Sequence, residues 1–372
     1  VNRIADVVRW LGEFAPFRLA ESWDNVGLLW GDPQAPVTRV MTCLTITSET
    51  SREAIDGRAE LILSHHPILF RGAKQVRTDT VEGGILWALA RAGVSVASPH
   101  TAFDNTNGGI NHGLASRFGL VEVGPLRAGG GVGEPEFKIV VFAPRSDREA
   151  VLNAAFAAGA GRIGLYEECS YSGMGFGTFF GTEGADPTVG RPGRRERVRE
   201  WRVEVICPAQ RRADVLEAIR SAHSYEEPAI DVYPLAPSRE APGAGRLGRL
   251  VTPRTLDEFA RLVAETLKAP GLLCVGPPER LVEWVAIACG AGDDFVPDAA
   301  RAGADVLLTG ESRYHRALEA QALGLGLIVA GHHATERPGV EDLADRVQAA
   351  FPDLEVWASR TETDPLRRLA DA

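Results

Sequence analysis

No run of apolar residues in this chain is long enough to cross a bilayer as a helix. The opening residues carry no basic stretch followed by an apolar core, so no secretory signal is expected and the expected compartment is the cytoplasm. No CxxC pair occurs. Cys43, Cys169, Cys207, Cys274 and Cys289 are scattered, each in or beside an apolar stretch, and their number is odd. That pattern argues against a disulfide framework or a thiolate zinc site and reads as buried, reduced thiols. An excess of positive charge is also missing: Lys and Arg total 40 against 50 Asp and Glu, a net charge of −10, which argues against a protein that coats nucleic acid. In the one arginine-dense stretch, RPGRRERVREWR (191–202), glutamates alternate with the arginines, so it reads as a solvated face or hairpin rather than a phosphate-binding strip. GMGFGTFFG (173–181) lacks the GK[ST] of a phosphate loop and reads as a glycine-rich hairpin.

A length of 372 residues favours two domains. Over the first 120 or so residues, helix and strand patterns alternate. Ile4, Val7, Val8 and Leu11 fall on one helical face; strands are expected at 38–46, 60–64 and 94–98, with helices up to Gly57 and over 80–92 and 109–118. The last third repeats the pattern, with strands at 282–288, 305–310, 325–331 and 354–358 and helices over 294–302, 312–323 and 338–350. Such alternation implies parallel strands with crossover helices. Between two Gly/Pro-rich junctions (124–136 and 234–248) the expected order is β-α-β-β-α-β, that of a ferredoxin-like unit. The expected fold is therefore α/β. Residues 1–125 and 245–372 form a discontinuous domain of two βαβ-type halves, and residues 126–244 form an inserted ferredoxin-like α+β domain.

Three polar clusters follow expected parallel strands: HHP (65–67), PHTAFDNTNGG (99–109) and GHHATE (331–336). Ligand sites of open α/β sheets gather at the carboxyl ends of the strands, so the three would share one edge. His65, His66, His332 and His333 offer imidazoles, and Asp104 and Glu336 offer carboxylates, a donor set suited to zinc, iron, manganese or nickel. It suffices for two ions roughly 3.5–4 Å apart sharing a bridging carboxylate and a bridging water. Where the strand ends, Pro67 restricts His66 and the adjacent rings can splay, one to each ion. His100 is open to a ligand, orienting or substrate-facing role. His315 stands four residues after Glu311 on an expected helix, a spacing that binds metal or pairs the two side chains; contact with substrate or with a ligand is preferred. His112 reads as a surface residue and His223 has no metal role. A plain alternative is an α/β protein whose histidines are satisfied core residues.

At these residues the sequence resembles the Nif-three-like family of dinuclear-metal proteins, also called GTP cyclohydrolase I type 2 homologues. The matching pieces are ESWDNVGLLWGD (21–32), SHHPILF (64–70), HTAFDNTNGGIN (100–111), TGESRYH (309–315), GHHATE (331–336) and TETDPL (361–366). SAHSYEEPAIDVYPL (221–235) resembles the signature of longer members, whose middle domain is similar to the PII and CutA folds. The resemblance implies that His65 and His66 each give one ligand to a different ion, that Asp104, His332 and Glu336 complete the set, and that His333 is adjacent support. It implies two divalent transition metal ions per subunit and a toroidal homo-hexamer whose openings the inserts cap. It further implies a metal-dependent hydrolase of a nucleotide-like or phosphorylated small molecule. There Asp104 or Glu336 would bridge or orient the water, and His100 or His315 would contact substrate or carry a proton. The alternative is a non-catalytic hexameric regulator or interaction platform, with a small-molecule effector sensed by the insert. The sequence departs from the family at two places: Thr45 stands where an aspartate is usual, and Ala102 stands for Asn.

Overall fold

A computed structural model of the chain describes residues 2–73, 75–128, 136–235, 242–269 and 271–366. Parts of both Gly/Pro-rich junctions (129–135 and 236–241) lie outside them. The chain is mixed α/β and divides into two compact units: residues 1–132 with 238–372, and residues 133–237.

The first unit begins with α1 (Ile4–Phe14), β1 (Gly27–Trp30), β2 (Arg39–Cys43), α2 (Ser48–Asp56), β3 (Leu61–Ser64), α3 (Val81–Ala92), β4 (Ser95–Ser98), α4 (His100–Asn105), α5 (Ile110–Arg117), β5 (Leu120–Gly124) and β6 (Arg127–Ala128). The second unit holds β7 (Glu136–Ala143), α6 (Arg148–Ala157), β8 (Ser170–Phe180), β9 (Arg195–Pro208), α7 (Arg212–Ala222) and β10 (Ile230–Pro234). The first unit resumes with β11 (Gly243–Ala244), β12 (Arg246–Thr255), α8 (Leu256–Thr266), β13 (Leu273–Val275), β14 (Leu281–Ala288), α9 (Val296–Arg301), β15 (Val306–Thr309), α10 (Tyr314–Ala322), β16 (Gly326–Val329), α11 (His332–Ala350) and β17 (Glu355–Ala358). No helix among the described residues is long and apolar enough to cross a membrane.

Two sheets build the first unit, in the orders β1-β4-β3-β2-β17 and β13-β16-β15-β14-β12-β5. Their centres are parallel: β17-β2-β3-β4 in one, β14-β15-β16 in the other. Antiparallel β1, β12, β5 and β13 extend them. The central strands LILS, SVAS and VLLT are buried throughout, as expected of strands covered on both faces. The two-residue period divides them between cores. Leu61, Leu63, Val306 and Leu308 join the large core with α1, α5, α8 and α11, whereas Ile62 packs towards α2 and α3 and Leu307 towards α9 and α10. The two segments of this unit are interlaced. β17 pairs with β2, and β5 pairs with β12, so each sheet borrows an edge from the other segment.

Two expectations are corrected. HTAFDN, a stretch between the expected strand 94–98 and helix 109–118 with no element expected, forms α4. The last helix, expected over 338–350, begins six residues earlier at His332 and runs through Pro338. Gly331, at φ 106°, turns the chain sharply from β16, and the Thr335 hydroxyl, which donates to the Gly331 and His332 carbonyls, accepts from Gly290 N–H. The missing Pro338 N–H costs the helix one donor. Burial of Thr335, Glu336, Gly339 and Val340 offsets that loss.

In the second unit an antiparallel sheet in the order β10-β7-β9-β8 is packed by α6 and α7 through Val151, Ala155, Val215 and Ile219. The arginine-dense stretch lies in the β8–β9 hairpin, with Arg197 over the Phe176 ring at 4.1 Å.

Arg246 at the start of β12 is only 1% exposed. Its guanidinium donates to the carbonyls of Gly243, Gly245, Asn105 and Thr106 at 2.5–3.2 Å, tying β11 and β12 to the end of α4. Burial draws its pKa down to about 10, so it stays charged at neutral pH. Arg246→Met leaves these carbonyls without donors and should lower stability by about 3 kcal/mol or more in urea unfolding. An unchanged midpoint would show that the guanidinium holds nothing together.

Candidate metal centre

Five strands deliver polar residues to one place. His65 follows β3, His100 follows β4, Cys289 follows β14, Glu311 follows β15 and His332 follows β16. The strands belong to two sheets: parallel pairing aligns the carboxyl ends within each, and the contacts of His65 and His66 with Glu336 bring the two ends together. His65 and His66 continue the pairing of β3, with their N–H groups on Cys43 and Leu44 carbonyls at 2.9 and 2.8 Å. The expected splaying of the two rings is not what forms: their centroids lie 5.1 Å apart with planes tilted by 51°, and both face Glu336.

Glu336 is the meeting point. Its Oε2 lies 3.0 Å from both His66 Nε2 and His332 Nε2, and its Oε1 lies 3.8 Å from His65 Nε2. His332 and Glu336, four residues apart, face the same way on the first turns of α11. His65 Nε2 is also 3.8 Å from Asp104 Oδ1 on α4. His65 is 2% exposed, and neither of its ring nitrogens has a hydrogen-bond partner among the described residues. An unpartnered buried imidazole facing two carboxylates is the arrangement a cation completes.

A further set of groups orients the rings. His66 Nδ1 meets Thr45 Oγ1 at 2.8 Å, and His332 Nδ1 meets Glu311 Oε1 at 2.9 Å. Thr45 is itself fixed by Glu362 of TETDPL, whose carboxylate accepts from Leu44 and Thr45 N–H at 2.8 and 2.7 Å. Asp104 Oδ1 accepts from the Cys289 thiol at 3.2 Å. His100, at φ 29°, holds Asp24 Oδ1 at 2.7 Å through Nδ1, while Thr101 donates to Asp24 Oδ2 through its amide at 3.1 Å and its hydroxyl at 2.5 Å. Glycine makes the room: a Cβ on Gly290 would stand 2.0 Å from Glu336 Oε1, and one on Gly310 would stand 2.6 Å from the Gly290 carbonyl.

The electrostatics separate the two carboxylates. Burial and the Glu336 charge push Asp104 up. Burial would raise Glu336 as well, but the charge on His65 and the bonds from His332 and His66 hold it well below the usual range. The bond to Glu336 raises His332 to about 9 despite burial. Burial lowers His66. Asp24, which burial alone would raise, is held at about 2 by His100 and Thr101.

Two donor groups result, His65 with His66 and His100, and His66 with His332 and Glu336; within each, the donor atoms lie within 4.8 Å of one another. A cavity of about 540 Å3 opens onto them, with Trp23, Phe70 and His100 on one wall and Arg127, Asp294 and Phe295 among the others.

Of the residues singled out in the sequence, the structure gathers His65, His66, His100, Asp104, His332 and Glu336. His333 belongs to neither donor group, and its Nε2 is buried without a partner among the described residues. His315 does not reach the cavity: it is exposed on α10, whose helix starts after Glu311, so the expected shared helix face does not form. Glu311 reaches His332 instead. Asp24, Cys289 and Glu362 have no part in the expected site, while Glu311 is expected only beside His315 and Thr45 only as a departure from the family. Glu311 and Cys289 carried a usable signal, since each follows a strand ending at the site.

An α/β protein with a buried His/Glu cluster able to hold a metal ion is thus the class that fold and site define. A sequence model of Duf34/NIF3 (NGG1p interacting factor 3) matches residues 2–365, and the chain belongs to that family. It is 39% identical to a protein of Mycobacterium tuberculosis named GTP cyclohydrolase 1 type 2 homolog, over 98% of this chain and 96% of that protein. A protein of the same name from Halalkalibacterium halodurans is 37% identical over 96% of this chain and 97% of its own length. The crystal structure of a Bacillus cereus protein related to NIF3 superposes with a TM-score of 0.68 at 34% identity, covering 99% of this chain and all of that one.

A metal on His332 Nε2 requires the neutral ring, whereas at pH 7 a group with a pKa of about 9 is protonated. Zinc binding should therefore release protons at neutral pH, and apparent affinity should climb until the pH passes about 9. Calorimetry in buffers of different ionisation heat measures this, and pH-independent binding without proton release would contradict it. In the metal-free protein the raised pKa contributes stability that is complete below 6.5 and is lost as pH rises through about 9.

Proposed function

We propose that the chain is a metal-dependent hydrolase of a nucleotide-like or phosphorylated small molecule. In this reading His65, His66, Asp104, His332 and Glu336 hold two divalent transition metal ions per subunit. The observation that carries the reading is His65, an imidazole buried with both nitrogens unpartnered among the described residues and aimed at the carboxylates of buried Glu336 and half-buried Asp104. The donor set of nitrogen and oxygen, without thiolate, suits zinc, iron, manganese or nickel. The relatives' name, which refers to a cyclohydrolase, supports hydrolysis of a ring, and a cavity of about 540 Å3 is the size of small-molecule sites, roughly 300–1,000 Å3.

Bound metal supplies Lewis acidity and makes water acidic enough to attack at neutral pH. The chain supplies position and proton transfer. Thr45 and Glu311 fix which nitrogens of His66 and His332 face the centre. Asp24 stays ionised and accepts from His100 Nδ1, so His100 Nε2 is free to give or take a proton at a group in the cavity. Trp23 and Phe70, exposed at the mouth with ring centroids 5.7 Å apart, offer apolar faces to a planar ring.

The second unit is read as an inserted ferredoxin-like domain, supported by its β-α-β-β-α-β order and sheet order. A cytoplasmic location accords with five cysteines outside any disulfide. Assembly as a homo-hexamer belongs to the same reading; light scattering on the purified chain should give six subunits, and a monomer would refute it.

Turnover is tested on metal-loaded protein against a nucleotide panel. Asp104→Asn should abolish hydrolysis. Asp24→Asn should lower kcat by about 10²–10⁴-fold, with KM little changed and the pH profile altered. Wild-type rates in both variants would remove the mechanism.

A further inference from the structure

The second unit has a cavity of its own, about 490 Å3, lined only by residues of that unit. Its walls are mostly apolar: Phe142, Phe179, Pro187 and Val189 face it. The loop between β8 and β9 closes over it and is clasped to the loop after α7. There Asp186 N–H donates to Glu226 Oε2 at 3.1 Å and the Thr188 hydroxyl to the Ser224 carbonyl at 2.6 Å.

On β9, Glu200 lines this cavity and is 9% exposed. A glycine admits it, since a Cβ at Gly177 would stand 1.9 Å from Glu200 Oε2. Among the described residues no cationic side chain lies within 4 Å of the Glu200 carboxylate. The Tyr225 hydroxyl is buried beside it, and burial together with the Glu200 carboxylate pushes that phenol up. His223 holds Tyr225, accepting from its N–H at 3.0 Å, with the two rings 4.8 Å apart. The remaining ionisable groups of the lining, Glu226 and Glu227, are acidic, and neither lysine nor arginine contributes.

Charge on a carboxylate only 9% exposed, with the Tyr225 hydroxyl beside it and no cation near it, carries a desolvation penalty. An anionic ligand would add to that penalty. A metal ion would find too few oxygens among apolar walls. We propose that this cavity binds a small organic cation, a primary ammonium on an apolar body. The ammonium lies on Glu200 with Tyr225 beside it, and the body packs on Phe142, Phe179 and Pro187. This site is independent of the metal centre.

The test is calorimetry on the full chain with three probes of one shape: phenethylammonium, neutral 2-phenylethanol and anionic 3-phenylpropionate. The cation should bind once per chain and at least about tenfold more tightly than the neutral probe, the worth of a charge-assisted hydrogen bond, and the anion should not bind. Glu200→Gln should weaken the cation by about tenfold or more with metal content unchanged and the melting temperature no lower, and Gly177→Ala should block it by filling the space. Equal binding of cation and neutral probe, unchanged binding to Glu200→Gln, or no binding of either phenethylammonium or hexylammonium would each overturn the assignment.

Discussion

A single buried carboxylate, Glu336, organises the first unit. Two imidazoles stand 3.0 Å from one of its oxygens and a third stands 3.8 Å from the other. A charge so far from water is tolerable only when surrounded by partners. Much of the local structure supplies that surrounding. α11 must start at the sheet edge for His332 to share the face of Glu336. Gly290 must lack a side chain, since a Cβ there would stand 2.0 Å from Glu336 Oε1. Thr335, next to Glu336, ties the helix start to Gly290.

The same demand explains the interlaced topology. His66 and Glu336 are 270 residues apart, so no local structure brings them together. The join is made by β17 lying parallel to β2 and by a ring of bonds beside it. The Thr42 hydroxyl donates to the Val340 carbonyl, Arg337 donates to the Ser359 carbonyl, and Glu362 accepts from Leu44 and Thr45. TETDPL therefore acts on the site indirectly: Glu362 fixes Thr45, Thr45 orients His66, and His66 meets Glu336. Thr45 places a hydroxyl in hydrogen-bond reach of the His66 ring.

Alternation of apolar strands with amphipathic helices made the parallel centres of both sheets legible from sequence, but not that the clusters expected on one edge follow strands of two different sheets. Short-range rules failed where long-range contacts overrode them. Pro338 argued for a helix beginning there, yet burial of Glu336 and Val340 carries α11 through it. HTAFDN has no long apolar period, and α4 forms because Ala102 and Phe103 are buried. The exchange of β5 and β17 between sheets has no local signature at all. Asp24, Thr45 and Glu311 are ordinary polar residues until the fold sets each against a histidine. His315 misled because its spacing from Glu311 presumed a helix that starts only at Tyr314.

The central claim is that the space around Glu336 is a metal centre. Anomalous diffraction from crystals of the zinc-reconstituted protein, recorded on both sides of the zinc edge, addresses it most directly. The expected result is zinc density in bonding contact with Glu336, His66 and His332, and a second site reached by His65 and Asp104. An empty cluster in well-ordered crystals grown with excess zinc, with His65 still unpartnered, would contradict it.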